Sequence, residues 1–413
     1  MRFALSAVLL SACTGSITAG GDDGPPVMPP PTTVQITVHD GDAPQPNVRV
    51  LFQNADGSLI AEVATDATGL ATTEMGGGNI TVIRTFPQPV PPATKQQPPE
   101  IYSYIGVKAG DKLELGHDSD DLGTPAAINV NVPVDAQGTV NVVTRCGSGQ
   151  GNAPTVPLTV TSCPASVMFY VSDGDQSSFF AAAPYSVNVD LSTQILAGSL
   201  ATTISSSNVT PDITSVNVDL RIMDGDFQLF SAGSQRVDTQ PQTVNLPAAS
   251  GVDELLVTSV SATNGTQMFA KRQPYAVAPV VVDASASLIP YVSTPTYSPT
   301  GVSWVEQGTG DADFVIAVFD VTTAPGTITP EYKRAIIAPH VGPALLLPLL
   351  TGADAMYNPS AADQIAGTHG LVKATGGYDA ARAYAFGVSS LVQGTPMSST
   401  VTLSYAGNSP PTL

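Results

Sequence analysis

The chain has 413 residues and a formal charge of −19, and only 12% of its residues are charged. This balance argues against nucleic acid as a partner, because phosphate binding requires clustered basic residues and only 15 Lys and Arg occur. The 37 Gly and 36 Pro residues indicate frequent turns, and many segments alternate apolar and polar residues as half-buried strands do. The sequence therefore predicts an all-β protein made of tandem β-sandwich domains.

The first predicted element is an export signal. A positively charged start precedes an apolar run at residues 3–10, which is too short to span a bilayer as a permanent helix. The tetrad Leu10-Ser11-Ala12-Cys13 resembles the lipobox of bacterial lipoproteins, in which the cysteine thiol is acylated and the chain is cut just before it. The resemblance implies that residues 1–12 are a signal peptide and that Cys13 carries acyl chains such as palmitate.

The residues after Cys13 indicate where the protein resides. Thr14 stands where an Asp would retain an enteric lipoprotein in the inner membrane, so we expect an outer-membrane lipoprotein that faces the periplasm or the cell surface. Residues 13–32 lack periodicity and are rich in Gly, Pro and Asp. This composition is typical of a flexible linker that holds the folded part away from the lipid.

Residues 33–123 are predicted to form the first folded domain. Residues 33–85 contain four or five short alternating runs separated by turn clusters. Within them, PQPNVRVLF and TDATGLA resemble the Pro-x-Pro-Gly-x-x-Val run and the Thr-Asp-x-x-Gly turn of carboxypeptidase regulatory-like, transthyretin-like domains, with Asn47 in place of the customary Gly. The resemblance implies a non-catalytic β-sandwich module, used in exported proteins as a spacer or binding accessory.

Residues 124–290 are predicted to form a second β-sandwich. The alternation continues there, and the hexapeptide SVNVDL occurs at residues 186–191 and 215–220. Two copies do not establish a solenoid, which needs about three units, so a Greek-key sandwich is the simpler architecture. Cys146 and Cys163 form an even pair in an exported chain and predict a disulfide, which would stabilise the fold by about 3 kcal/mol.

Residues 291–413 are predicted to form a β-rich C-terminal domain, after a Pro- and Ser-rich boundary near residues 289–300. The apolar run at residues 341–350 is too short, and too interrupted by proline, to cross a membrane, and we expect it in the core. Short helices are predicted at residues 360–366 and 379–386, with Asp379 as the N-cap of the second.

Acidic residues recur at predicted turns. Asp-Gly-Asp occurs at residues 40–42, 173–175 and 224–226, where hairpin turns are favoured over cation binding because Asp-Gly tolerates positive φ. Asp118, Asp120 and Asp121 are the best calcium candidates, although the spacing of an EF-hand loop fails beyond them. We therefore expect no cofactor, with calcium at these three aspartates as the alternative.

The sequence contains neither an HExxH nor a GxSxG motif, which favours a protein without enzymatic activity. His369 is the best candidate for an unrecognised catalytic site, with His340 second, and a histidine in a surface loop is the alternative. Trp304 is predicted to pack in a core instead of stacking on a sugar. Tyr291 and Tyr297 either line a peptide groove or cover a domain joint.

These features predict a membrane-anchored lipoprotein of the cell envelope that acts as a non-catalytic binding, adhesion or scaffold protein. Its expected partners are the membrane, through the lipid anchor, and other envelope proteins or polysaccharide. The alternative function is an exported hydrolase with its site in the C-terminal domain, and calcium-dependent adhesion is a third hypothesis.

Overall fold

In a computed structural model of the chain, nearly all regular secondary structure among the described residues is β-strand, which confirms the all-β prediction. The chain divides after Pro31, and the described residues all belong to the unit that begins at Thr32. The structure describes residues 32–40, 43–86, 98–116, 126–161, 167–182, 188–196, 198–209, 213–224, 227–249, 254–262, 266–275, 278–283, 289–308, 310–323, 331–382 and 400–406.

The first predicted domain contributes eight strands within its described residues. The first of them, TVQITVHD, buries alternate residues, as its apolar-polar pattern predicts. The strands are β1 (Thr33–Asp40), β2 (Ala43–Pro44), β3 (Arg49–Gln53), β4 (Leu59–Ala64), β5 (Leu70–Glu74), β6 (Gly77–Arg84), β7 (Glu100–Lys108) and β8 (Lys112–Leu115).

The middle of the chain contributes fifteen strands among the described residues. The second SVNVDL copy lies in a strand with its aliphatic residues buried, and in the described part of the first copy, residues 188–191, Val189 and Leu191 are buried. The strands are β9 (Ala126–Asn131), β10 (Thr139–Thr144), β11 (Gly147–Asn152), β12 (Thr155–Val160), β13 (Val167–Ser172), β14 (Ser177–Ala182), β15 (Asn188–Asp190), β16 (Ser199–Ser207), β17 (Ser215–Asp224), β18 (Phe227–Ser231), β19 (Gln235–Arg236), β20 (Gln242–Ala249), β21 (Glu254–Ala262), β22 (Thr266–Pro274) and β23 (Val280–Asp283).

The C-terminal part adds seven strands and two short helices within the described ranges. They are β24 (Tyr291–Ser298), β25 (Gly301–Gln307), β26 (Phe314–Thr322), β27 (Glu331–Pro339), β28 (Ala344–Leu346), a 3₁₀ helix (Gly352–Tyr357), β29 (Gln364–Ala374), α1 (Gly377–Ala381) and β30 (Thr400–Tyr405).

A thirteen-stranded sheet, here called the central sheet, joins all three predicted domains. Its strand order is β18-β17-β21-β22-β30-β29-β26-β27-β7-β6-β3-β4, and β19 pairs with β17 at one end. Neighbouring strands are antiparallel except where β7 meets β27, which run parallel with Glu100 opposite Lys333. The predicted domain boundaries near residues 123 and 290 stay predictions, but hydrogen-bonded ladders connect the parts on either side of them.

The half of the central sheet that runs from β30 to β3 is the middle of three layers. The sheet β2-β1-β5, with β8 beside β1, covers one face, and the sheet β24-β25-β28, here called the cover sheet, lies on the other. In β26 the run FVIAVF is therefore buried on both faces. Phe314 and Ile316 enter the first core, whereas Val315 and Phe319 enter the second.

Two further large cores lie among the described residues in the middle of the chain. The sheet β12-β9-β15 faces β10 and β13, and β16, β20 and β23 face β17 and β21. Strand β11, GSGQGN, lies close over β12 because its alternate residues are glycines. A Cβ atom on Gly149 would be 2.3 Å from the Pro157 carbonyl oxygen, so a larger residue does not fit there.

The Asp-Gly-Asp tripeptides lie at hairpin connections, as predicted. Strand pairing joins Asp40 to Ala43 and Asp224 to Phe227 across two-residue links. In the third hairpin, the Asp173 carboxylate accepts hydrogen bonds from the backbone amides of Asp175 and Gln176, at 3.1 and 2.8 Å. The Asp173 carboxylate therefore stabilises the turn in which it lies.

The helix predictions were wrong in detail. Gln364 begins β29, so residues 360–366 are not helical. Helix α1 starts two residues before the predicted position, after Gly376 in the left-handed conformation at φ 87°. Asp379 lies within its first turn and binds Lys108 and Arg382 instead of capping it. Part of the predicted second helix, residues 383–386, lies outside the described residues.

Candidate functional site

A group of polar and aromatic side chains lies between the cover sheet and the central sheet. We call Tyr297, Trp304, Glu306, His340 and His369 the Trp304 cluster. Strand β25 supplies Trp304 and Glu306 because its alternation points every second residue inward, and β24 supplies Tyr297. His340 follows β27, and His369 lies within β29. The structure thus brings both predicted histidines to one region.

Glu306 connects one histidine to the tryptophan. Its Oε1 atom accepts a hydrogen bond from Trp304 Nε1 at 2.8 Å and lies 2.9 Å from His340 Nε2. The Glu306 and His340 side chains are 23% and 14% exposed, so this pair lies at the rim of the core. A partly exposed imidazole oriented by a carboxylate is the arrangement that general acid-base chemistry uses.

His369 is buried, in contrast to the surface-loop alternative. Its ring lies 5.0 Å from the Trp304 ring, and its Nδ1 is 3.3 Å from the Tyr297 hydroxyl. The Nε2 atom has no hydrogen-bond partner among the described residues. Burial lowers the pKa of His369 to about 4, so the ring is neutral at pH 7.

Tyr297 is positioned by a neighbouring glycine. A Cβ atom on Gly367 would lie 2.8 Å from the Tyr297 ring and 2.1 Å from the Val318 carbonyl oxygen. Tyr297 also contacts Phe319 edge-on, with ring centroids 5.6 Å apart. Burial, and secondarily the charge of Asp320, raises the pKa of Tyr297 above its usual range. The phenol therefore stays protonated and is not a nucleophile at neutral pH, and its hydroxyl lies within hydrogen-bonding distance of His369 Nδ1.

The burial of the aromatic side chains in this region decides between the roles predicted for them. Trp304 is in the core, as predicted. Tyr291 is buried and Tyr297 half-buried, so both cover the joint between two sheets and do not line an open peptide groove. Tyr291 belongs to β24, in the segment where the sequence predicts a boundary.

Buried arginines are the residues that sequence reasoning missed. Arg334 is fully buried and donates to the Pro348 carbonyl at 2.5 Å, with longer contacts to Tyr357 and Asn358. Burial lowers the pKa of Arg334 to about 10. Its signal in the sequence is a basic residue inside the apolar run KRAIIAP, at a position that alternation places inward.

Two other arginines tie the C-terminal part to the first eight strands. Arg49 forms two hydrogen bonds, of 2.8 and 3.0 Å, with the buried carboxylate of Asp354. Arg382, 3% exposed at its side chain, binds Asp111 at 2.5 Å and Asp379 at 2.6 Å. These bidentate or doubly paired guanidinium groups are the geometrically specific kind of ion pair.

The run at residues 341–350 is only partly in the core, which corrects the prediction. Leu345, Leu347 and Leu350 are buried. In contrast, Val341, Leu346 and Leu349 are 89%, 75% and 65% exposed. Val305 and Ala344 are also exposed, on the paired strands β25 and β28, and these five residues are here called the aliphatic patch: Val305, Val341, Ala344, Leu346 and Leu349.

The predicted calcium and lipidation residues are not described. Asp118, Asp120, Asp121 and Cys13 lie outside the described residues. Within the described ranges, no group of three or more His, Cys, Asp or Glu side chains is arranged to hold a metal ion. None of the helices in those ranges is long and apolar enough to cross a bilayer.

One cysteine of the predicted disulfide is described. Cys146 is buried in the core that lies between the β9 and β12 pair and the β10 and β13 pair. Its carbonyl accepts a hydrogen bond from the Thr161 amide at 2.9 Å. Cys163 lies outside the described residues, two positions after Thr161. The pairing of Cys146 with Cys163 stays a prediction.

Comparisons with known proteins do not assign a family. No protein-family model and no curated protein sequence matches the chain. Among solved structures, the Bacillus anthracis TIE protein aligns at a TM-score of 0.16 and 9% identity, over 62% of this chain and 50% of its own. The E. coli alpha-2-macroglobulin in its native conformation aligns at a TM-score of 0.12 and 8% identity, over 89% and 27%. This chain thus spans half or less of both neighbours, and the resemblance to transthyretin-like domains stays a prediction.

Proposed function

We propose that this protein is a lipoprotein of the bacterial cell envelope, anchored through Cys13, whose β-rich body acts as a non-catalytic binding or scaffold module. The tetrad Leu10-Ser11-Ala12-Cys13 is the observation that carries the proposal. Acyl chains on Cys13 would hold the body at a membrane, because each buried methylene contributes about 0.8 kcal/mol. The outer membrane is the proposed location, on its periplasmic or cell-surface side.

The central sheet supports a scaffold role. It joins β3 and β4 at one end to β17 and β18 at the other through continuous backbone hydrogen bonds. Arg49 and Arg382 add ion pairs between the first eight strands and the C-terminal part. The hydrogen bonds and ion pairs hold the surfaces of the folded part in fixed relative positions, which suits binding of other envelope proteins or polysaccharide.

The predicted disulfide belongs to the same proposal. Export would place Cys146 and Cys163 in an oxidising compartment. The hydrogen bond between the Cys146 carbonyl and Thr161 brings the chain just before Cys163 alongside Cys146, which supports the pairing. Peptide mapping without reduction should recover the two cysteines in one linked fragment, and separate fragments would contradict the pairing.

Metabolic labelling tests the anchor directly. Cells that produce the chain are fed an alkyne analogue of palmitate, and the purified protein is examined for the label. We expect label in the parent chain, none in Cys13→Ser, and full label in Cys146→Ser, the matched control. An unlabelled parent chain recovered from the cytosol would overturn the proposal.

The alternative, an exported hydrolase, is favoured by one observation, the 2.9 Å contact between His340 and Glu306 at the rim of the core. Hydrolysis there would require the His340 imidazole as a base and a water or hydroxyl nucleophile. A panel of peptide, ester and glycoside substrates tests it with the parent chain, His340→Gln and His39→Gln. Activity that only His340→Gln abolishes would support the hydrolase and refute the non-catalytic proposal.

A further inference from the structure

The aliphatic patch is a rigid surface and not a loose loop. The Leu347 amide donates to the Thr300 carbonyl at 2.9 Å, and the Trp304 amide donates to the Pro343 carbonyl at 3.1 Å. From the core side, Arg334 holds the Pro348 carbonyl. Exposed aliphatic side chains on a backbone fixed in this way lose little further entropy on binding, which favours association.

Hydrogen bonding along this segment suits an apolar medium. Asn358 both donates to the Leu350 carbonyl at 2.7 Å and accepts from the Leu350 amide at 2.9 Å. Pro343 and Pro348 have no amide proton to satisfy. Since unsatisfied backbone groups are costly next to hydrocarbon, the Leu347 bond, the pairing of β25 with β28 and the two prolines reduce the cost of bringing the segment to a lipid surface.

The chemistry of the patch favours lipid over protein as the occupant. Residues 341–353 contain no ionisable side chain and no aromatic residue. Protein interfaces draw their binding energy mainly from Trp, Tyr and Arg, which the patch lacks. A second copy of the chain is disfavoured because each copy carries a formal charge of −19.

We propose that the aliphatic patch inserts shallowly into the surface of an electrically neutral lipid bilayer and so orients the folded body on the membrane. This inference rests on the proposed function, which places the protein at a membrane, but it concerns a contact that the body makes without its acyl chains. Val341, Leu346 and Leu349 supply the apolar contact area.

Vesicle flotation tests the patch without the lipid anchor. The chain from Thr14 onward removes the predicted signal and Cys13 and keeps the whole unit that begins at Thr32. It is mixed with phosphatidylcholine vesicles and separated on a density gradient. The patch variants are Val341→Asp and Leu346→Asp. Their matched controls are Val281→Asp and Leu200→Asp, at positions that are 62% and 46% exposed on β23 and β16.

We expect the parent chain to float with the vesicles and each patch variant to lose about tenfold in partitioning, the effect of removing one buried aliphatic side chain. The controls should remain within twofold of the parent, and unchanged circular dichroism would establish that all variants fold. A parent chain that stays at the bottom of the gradient, or equal losses in controls and patch variants, would overturn the inference.

Sedimentation of the same chains tests whether a second copy of the chain, instead of lipid, covers the patch. A dimer that Val341→Asp and Leu346→Asp dissociate, without flotation of the parent, would show that a second copy covers the patch and would refute the lipid contact. Failure of palmitate labelling at Cys13 together with patch-dependent flotation would refute the anchor alone, whereas the reverse pair of results would refute the patch alone.

Discussion

Replacing His369 should remove a specific acid sensitivity from the fold. The neutral imidazole is held between Trp304 and Tyr297, where burial lowers its pKa to about 4 from an ordinary value of 6.5. The unfolded chain binds a proton at this ring more readily than the folded chain does. The folded state is therefore favoured above pH 6.5 and loses this contribution as the pH falls toward 4.

The size of the effect follows from the displacement of the pKa. A difference of about 2.5 units at about 1.36 kcal/mol per unit corresponds to roughly 3 kcal/mol. His369→Gln keeps a hydrogen-bonding group, both donor and acceptor, for Tyr297 but does not titrate. Between pH 7.5 and pH 4, the free energy of unfolding of the natural chain should thus fall by about 3 kcal/mol more than that of the variant.

Urea unfolding at a series of pH values measures this difference, and Trp304 is a convenient reporter because it is the sole tryptophan and touches the His369 ring. The control His340→Gln changes the rim histidine and should keep the full acid-dependent loss, since His369 remains in place. Parallel loss of stability in the natural chain and in His369→Gln would refute the reasoning about the buried ring.

Three further predictions concern other parts of the fold. Arg334→Ala should lower the free energy of unfolding by about 3 kcal/mol in urea titrations, because buried carbonyls lose their donor. Its control is Lys333→Ala, at the exposed neighbouring position, which should lower the free energy of unfolding by less than about 0.5 kcal/mol. Gly149→Val should destabilise by at least about 2 kcal/mol through its clash with β12, whereas Gln150→Val, on the outer face, should melt near the parent temperature. Calcium should leave the melting temperature unchanged; a rise that a chelator reverses, and that substitution within residues 118–121 abolishes, would contradict this.

The strands could be predicted because their pattern is local. In β1 and β12, alternate residues are buried, as a two-residue period requires. The order of strands could not be predicted, because the pairing of β7 with β27 joins residues more than two hundred positions apart. The continuous apolar run of β26 indicates burial on both faces but does not identify the sheets that cover it.

The candidate site shows the same limit. Alternation in GVSWVEQ places Trp304 and Glu306 on one face and predicts the core position of the tryptophan. It does not reveal that His369, from a different sheet, lies against the Trp304 ring. Asp379 misled the helix prediction because an ion pair with Arg382 competes with its use as a cap.

The parallel junction of β7 and β27 has a consequence for biogenesis. At about 5 to 20 residues per second, a ribosome takes about 10 to 50 s to make the roughly 230 residues that separate the two strands. During that interval β7 has an open edge to which strands from other molecules can add. Because the proposed export requires an unfolded chain, production of this protein should depend on a chaperone that keeps β7 from pairing with other molecules until β27, in the last quarter of the chain, is available.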